Sequence, residues 1–474
     1  MKNGQYRIFS YQTVCDDWYG RNQVRIMLPK SLTDKSALIQ YKSAGFNTLF
    51  LSYAFQYNAM EEEFNDTKLK KVMDLAHEVG LKCIIFEKNL HRITGRMHSL
   101  IDPENADGQT CFRSEEELDA FVKKCIEEPM KHPAFLGVST MDEPRGEMLL
   151  AYGQALKALK KAMPNIYVNA NICLGYHNFL GAGQDLELTE LGKYRANLET
   201  YCKKVDPEFV QFGLYPIKHI YNRETKELLN GREYAKNHLA SCCMASEFCV
   251  SVNKPMSVIM QSAEWTVPTA GWGGAKVKED DIYLQTNVLM AVGTSTYSYW
   301  SYYPPINSAS EYYDDKATIV DTFGRPNELY YVVQDVHRKM QRVAPVLTEF
   351  KYRGVKLLKA KNLYKYSDNI LTLESAIEDK EIATFDDGVC LTAGDTSSVM
   401  VTALDNKNTG ESGYYLINVT DPQYKDVAKV TVAFGGAKKL KVYFEGEESV
   451  KDENNGKFNF ELNPGRGVFV IPIK

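Results

Sequence analysis

Ala134-Phe-Leu-Gly-Val-Ser-Thr-Met-Asp-Glu-Pro144 is the stretch on which the reading of the whole chain turns. An apolar run with strand character ends abruptly in Asp142-Glu143, and Pro144 cannot donate to a ladder behind it. It reads as a buried strand that delivers two carboxyl groups at its C-terminal tip. The plainer alternative is a helix N-cap, with both acids facing the macrodipole. The apolar strand directly before the acids favours the first reading.

Working outward, strands and helices alternate on both sides. Upstream, Ser114 and Glu117 form a candidate capping box for a helix with Leu118, Phe121, Val122 and Cys125 on one face. Lys82 to Phe86 is a strand ending at Glu87, preceded by a helix face of Leu69, Val72, Met73, Ala76 and Val79 that Gly80 closes. Phe46 to Ser52 and Arg7 to Tyr11 are two earlier strands. The helix between them has Thr33 as cap, Leu38, Tyr41 and Ala44 at helical spacing, and Gly45 as stop.

Downstream, strands are expected at 166–172, 208–216, 256–262 and 294–302, with helices near 188–204, 232–250, 282–292 and 327–342. Eight strands alternating with helices fit an α/β (β/α)8 TIM barrel over residues 1–347. No strand leads into a G-x-G-x-x-G turn, as a dinucleotide fold requires. Residues 348–474 change texture: short alternating runs separated by Asn, Asp and Gly, without helical periodicity, read as a small C-terminal antiparallel β-sandwich.

Of 474 residues 44% are hydrophobic and 25% charged, with a formal net charge of -5, the balance of a folded protein without a basic stripe. Nucleic acid is therefore not an expected partner. No apolar run is long enough to span a bilayer, so no membrane partner is expected. The N-terminus has no apolar core of a signal peptide, which fits a cytoplasmic protein or one whose secretion signal has been removed. The ten cysteines show no paired metal-ligand spacing and read as free thiols.

In a barrel of this kind, chemistry gathers where strand C-termini meet the following loops. At or just beyond those ends lie Asp16, Asp17, Glu87, Asp142, Glu143, Asn169, Asn171, Gln211, Tyr215, Gln261, Glu264, Trp300 and Tyr302. All four tryptophans, Trp18, Trp265, Trp272 and Trp300, fall after the first, seventh and eighth strands, where flat apolar rings suit the C–H faces of sugars. Glycoside hydrolysis needs two carboxyl groups, one protonated to release the leaving oxygen and one acting as nucleophile or base. Glu143 suits the acid, because Asp142 and partial burial both raise its pKa. Glu264 is the candidate second carboxyl, and holding a loop cation is its simpler role. Glu87 and Asp16-Asp17 read as structural. His177 is a loop histidine, and Gly271-Trp-Gly-Gly274 reads as a lid rather than a phosphate cradle.

His132-Pro-Ala-Phe-Leu-Gly137, Met141-Asp-Glu-Pro144, Phe212-Gly-Leu-Tyr-Pro216 and Tyr297 to Tyr302, in that order, resemble clan A-type (β/α)8-barrel glycoside hydrolases. The likeness is to the β-galactosidase-like group and related uncharacterised bacterial families. It implies that Glu143 is the acid/base, that the nucleophile comes from the seventh strand and maps onto Glu264, and that Tyr215 lies near it. Asp142 stands where the clan usually carries Asn, and an ionised Asp cannot donate to a sugar hydroxyl. The expected activity is retaining glycoside hydrolysis on a carbohydrate substrate without metal or organic cofactor. Asp142, Asn171, Gln211, Tyr215 and Gln261 would hold hydroxyls, while Trp18, Trp265, Trp272, Trp300 and Tyr302 would line the sugar. The alternatives are a non-catalytic carbohydrate-binding protein on a decayed barrel and an inverting glycosidase using Asp142 or another acid as base.

Overall fold

A computed structural model of the chain describes residues 4–11, 18–19, 25–26, 34–51, 55–172, 189–235, 237–267, 272–304, 312–313, 317–321, 323–359, 368–393 and 396–473. Eight short strands run parallel: β1 (Arg7–Ser10), β2 (Thr48–Phe50), β3 (Lys82–Phe86), β4 (Phe135–Asp142), β5 (Tyr167–Asn171), β6 (Val210–Leu214), β7 (Met256–Gln261) and β8 (Thr296–Trp300). They form two four-stranded sheets of order β1-β8-β7-β6 and β2-β3-β4-β5. Hydrogen bonds join the sheets at both edges. Ile172 N–H donates to Gln211 O at 2.9 Å, and Asn47 N–H donates to Ile8 O at 3.1 Å. The Asn47 side chain extends the second seam, accepting from Ile8 N–H at 3.0 Å and donating to Tyr6 O at 2.8 Å.

A helix follows each strand: α1 (Lys35–Ser43), α2 (Lys68–Val79), α3 (Glu115–Ile126), α4 (Leu149–Ala162), α5 (Glu190–Val205), α6 (His238–Ser251), α7 (Glu279–Ala291) and α8 (Glu328–Leu347). Local chemistry explains their ends. Thr67 caps α2 by accepting from Lys70 N–H, and Gly80 terminates it at φ 75°. Ser114 caps α3. Thr33 lies outside the described residues, and Asp34 caps α1 by accepting from Ser36 N–H at 2.8 Å. Apolar side chains of helices and outward strand positions share one large core. A second cluster, Phe9, Tyr11, Phe50, Ile84, Tyr167 and Ile259, draws on strands of both sheets, with Leu136, Phe209, Tyr215 and Trp300 packed against it.

Two expectations fail here. The helix foreseen over 232–250 begins only at His238, because Leu228–Tyr234 is a strand paired antiparallel with Ile217–Tyr221. Trp272–Gly274 is likewise a strand rather than part of a lid. These segments, with Trp265–Val267 and Tyr312–Tyr313, make a five-stranded antiparallel sheet inserted after β6, β7 and β8. Its centre needs glycine, since a Cβ on Gly273 would fall 2.3 Å from the Trp265 carbonyl oxygen.

Beyond α8 the chain forms a six-stranded and a three-stranded antiparallel sheet around an apolar core that includes Val401, Leu416, Val432, Leu440 and Val470. Contrary to the reading of its texture, this region contains a helix, Asp368–Glu378, whose Leu373 and Ala376 are buried in the larger core. Tyr415 donates to Asn287 Oδ1 at 2.7 Å and Thr402 to Ala291 O at 2.9 Å, so these sheets dock on α7.

Candidate active site

β4 carries the opening stretch, and its geometry explains why two adjacent acids sit as they do. Gly137 has no room for a side chain, because a Cβ would fall 1.8 Å from the Tyr167 carbonyl oxygen. Further along, Ser139 pairs with Asn169 and Met141 with Ala170, so Thr140 is an extra residue, a bulge. One added residue reverses the alternation of faces. In the unbroken register Met141 would stand opposite Asn171. Instead Asp142 does, on the face that Tyr167 shares, while Met141 joins Ala170 in the outer core.

Glu143 follows at φ 49°, a left-handed conformation that costs a non-glycine residue about 1–2 kcal/mol. Its N–H donates to Asn171 O at 2.8 Å, which anchors the turn. Both acids are solvent-accessible, as residues at an open rim must be. Even so, the protein crowded around Glu143 desolvates it, and with the Asp142 carboxylate beside it this raises its pKa to about 6. Asn171 Nδ2 donates to Asp142 Oδ1 at 3.1 Å. Asn171 is itself buried, and its Oδ1 has no hydrogen-bond partner among the described residues.

At the tip of β7 the arrangement differs. The strand ends at Gln261, and Glu264 lies three residues later, at the start of the Trp265–Val267 strand. Its Oε1 lies 3.0 Å from His219 Nε2 on the neighbouring Ile217–Tyr221 strand. His219 Nδ1 is buried without a partner among the described residues. Glu264 therefore holds a histidine rather than the Lys or Arg of its simpler reading. Tyr221 is close enough that burial and then the Glu264 charge raise its pKa.

Two expected hydroxyl binders are committed elsewhere. Gln261 is fully buried: its Oε1 accepts from Ile217 N–H at 2.9 Å, and its Nε2 donates to Ile217 O at 2.8 Å and Ala275 O at 3.0 Å. It clamps the added sheet to β7. Gln211 is buried between Tyr11, which accepts from its Nε2, and Ser257, which donates to its Oε1 at 3.1 Å. Both amides have their nitrogen and oxygen engaged by protein partners.

The aromatic set divides as well. Trp300 is half-buried at the end of β8, its ring 6.4 Å from that of Tyr11. Trp265 is buried edge-on to Tyr215 at 5.3 Å, and a Cβ on Gly274 would collide with its ring at 2.3 Å, so its face is occupied by protein. Tyr302 is 1% exposed, edge-on to Tyr41 and Phe46, and is core packing beneath α1 rather than a sugar platform. The Trp18 and Trp272 backbones lie in short strands, and their side chains fall outside the described residues, as do Asp16, Asp17, His177, Gly271 and the Asn169 side chain. Glu87 is structural, as read. Buried at the N-terminus of the short helix Lys88–Thr94, it accepts from Leu90 N–H at 2.7 Å, Ala59 N–H at 3.2 Å and Asn89 Nδ2 at 2.8 Å.

Sequence reasoning missed His91 and His219. His91 Nδ1 lies 3.1 Å from the Thr140 carbonyl, and the ring senses the Asp142 charge. Each histidine acquires meaning only from a partner far along the chain, so no local motif marks it. Among the described residues no group of His, Cys, Asp or Glu is arranged to hold a metal ion, and no helix is long and apolar enough to cross a membrane. The eight cysteines among them are free thiols.

No protein-family model matches the sequence, and no curated protein does. Solved structures to which the fold is similar include glycoside hydrolases. A β-galactosidase from the psychrophilic Marinomonas ef1 is 11% identical over 68% of this chain and 60% of its own, with a TM-score of 0.42. The chain thus spans less than two thirds of that enzyme. α-Amylases from Anoxybacillus and Malbranchea cinnamomea are each 10% identical with TM-scores of 0.47; they cover 100% and 99% of this chain, and 99% and 97% of their own.

Proposed function

We propose that the eight parallel strands form one closed (β/α)8 barrel and that the protein is a glycoside hydrolase with Glu143 as its acid/base. The observation that carries the reading is the Glu143 carboxyl, set at a strand tip by a left-handed turn, with a pKa raised to about 6 beside Asp142. An acid in that range is protonated in roughly a tenth of molecules at pH 7 and still gives its proton up readily. It can protonate the leaving oxygen as the glycosidic bond breaks and then take a proton from the incoming water. The Asp142 charge helps hold that proton on Glu143, and Asn171 Oδ1, without a partner among the described residues, offers an acceptor for a sugar hydroxyl. Trp300 supplies an apolar face on the same rim.

In the retaining form of this proposal Glu264, held by His219, attacks the anomeric carbon. The substrate is a carbohydrate. The test is a panel of aryl glycosides turned over by the wild type and by Glu143→Gln, with product stereochemistry followed by NMR. Loss of the acid is expected to lower turnover about 10³-fold on substrates with poor leaving groups. A Glu143→Gln enzyme within about tenfold of wild type removes Glu143 from the role.

A further inference from the structure

We propose that His91 is a positioning residue for the carboxyl pair: by holding the Thr140 carbonyl it fixes the bulge that turns Asp142 inward and sets Glu143 at the strand tip. The inference rests on the reading of Glu143 as the acid and adds the device that aims it.

The bulge residue Thr140 pairs with no residue of β5. Its carbonyl is instead taken by the Lys88–Thr94 helix, from His91 Nδ1 at 3.1 Å and Thr94 Oγ1 at 2.7 Å. A carbonyl only accepts, so His91 carries its proton on Nδ1 and the tautomer is set. The helix that presents both donors is itself anchored. Glu87 caps it from the end of β3, and the Glu87 carboxylate ties it to Ala59 of the preceding loop. A chain of hydrogen bonds therefore runs from β3 through Glu87 and His91 to the bulge, two residues before Asp142.

The groups that face this arrangement are few. Asp142 approaches from β4 and Glu87 from the helix N-terminus, while Tyr152 on α4 meets the Thr140 hydroxyl at 3.3 Å. Lys88 and Arg92 on the same helix are exposed. Burial holds the His91 pKa below the usual imidazole range, so the neutral ring with its Nδ1–H is the form that grips the bulge. Without the His91 donor the bulge carbonyl is left to Thr94 alone. The register can then relax toward the one in which Met141, not Asp142, faces Asn171.

The test compares His91→Leu, which has no donor, with His91→Asn, whose amide nitrogen occupies the topological position of Nδ1. The first readout is the titration of the Glu143 carboxyl by carbon-13 NMR, assigned with Glu143→Gln and independent of turnover. His91→Leu is expected to lower the midpoint by about half a unit or more, because Asp142 no longer crowds Glu143, and His91→Asn to return it toward wild type. The second is turnover on the best aryl glycoside, expected to fall about tenfold in His91→Leu with KM changed less, and to recover in His91→Asn. A midpoint in His91→Leu within about 0.2 unit of wild type overturns the proposal, as does a shift in His91→Asn as large as in His91→Leu. If His91→Leu does not fold, Thr94→Val removes the second donor to the same carbonyl and is expected to shift the midpoint in the same direction. An absence of turnover on every glycoside would sink the glycosidase reading alone, and the titration would still decide the role of His91.

Discussion

The tips of β4 and β7 each offer a glutamate beyond an apolar strand, yet the fold treats the two differently. Glu143 is the first residue past its strand, held in a left-handed turn with its pKa raised by the desolvating protein around it and by Asp142. Glu264 lies three residues past β7, immediately before a strand of the antiparallel sheet, and is bound to His219. The residue at the β7 tip itself is Gln261, whose side chain is spent on the Ile217 and Ala275 backbones. Local strain and charge crowding set the first carboxyl apart by its own surroundings. The second depends on a partner strand to place it, so its role stands or falls with the integrity of the added sheet.

The sharpest way to break this contrast is Glu264→Ala. As nucleophile its loss should cost about 10³-fold or more in turnover, with azide restoring activity and yielding the inverted glycosyl azide. Loss without rescue would leave Glu264 as a holder of His219 and make the two tips functionally unequal. Gln261→Ala probes the clamp beneath Glu264. Leaving Ile217 N–H and Ala275 O unpaired is expected to lower stability by about 2 kcal/mol in denaturant unfolding, while the Glu143 titration stays at its wild-type value. A shift in that titration would show that the two tips are coupled.

The smallest effect belongs to Asp142→Asn. Asp142 is the second cause of the raised Glu143 pKa, after desolvation, so its neutralisation should move the alkaline limb of the pH–rate profile to lower pH by less than about one unit. Linkage gives the sign for stability. A carboxyl raised from 4.5 to about 6 on folding holds its proton more tightly in the native state. Its contribution is therefore full below pH 4.5 and fades as pH rises through about 6. In Asp142→Asn that window narrows from its upper end, which stability measured across this pH range will show.

Much of this was legible in the residues. Strand and helix order follows from hydrophobic period and from caps such as Ser114 and Gly80, which act within a few residues of themselves. The Asp142-Glu143 pair was legible because an apolar run ending in two acids is a local event. Gln211 and Gln261 were misread for the opposite reason. An amide near a strand end looks free to bind a hydroxyl, but its partners lie far along the chain, Tyr11 for Gln211 and Ile217 and Ala275 for Gln261. Tyr302 failed similarly, since only the packing of α1 shows that its ring is enclosed. Residues 232–234 were read as the start of a helix because their pairing partner, and not their own periodicity, decides their conformation.

The sequence by itself determined the alternation of strands and helices, the change to antiparallel sheets after α8, and the presence of two carboxyl groups at the end of the fourth strand. These rest on short-range physics: periodic burial, capping and the conformational limits of glycine and proline. Only the tertiary structure decided which of those carboxyls faces inward and which turns past the tip. That choice depends on one extra residue at Thr140, kept in place by a histidine nearly fifty positions away in the chain. Register is a property of paired strands, so no single strand can carry it.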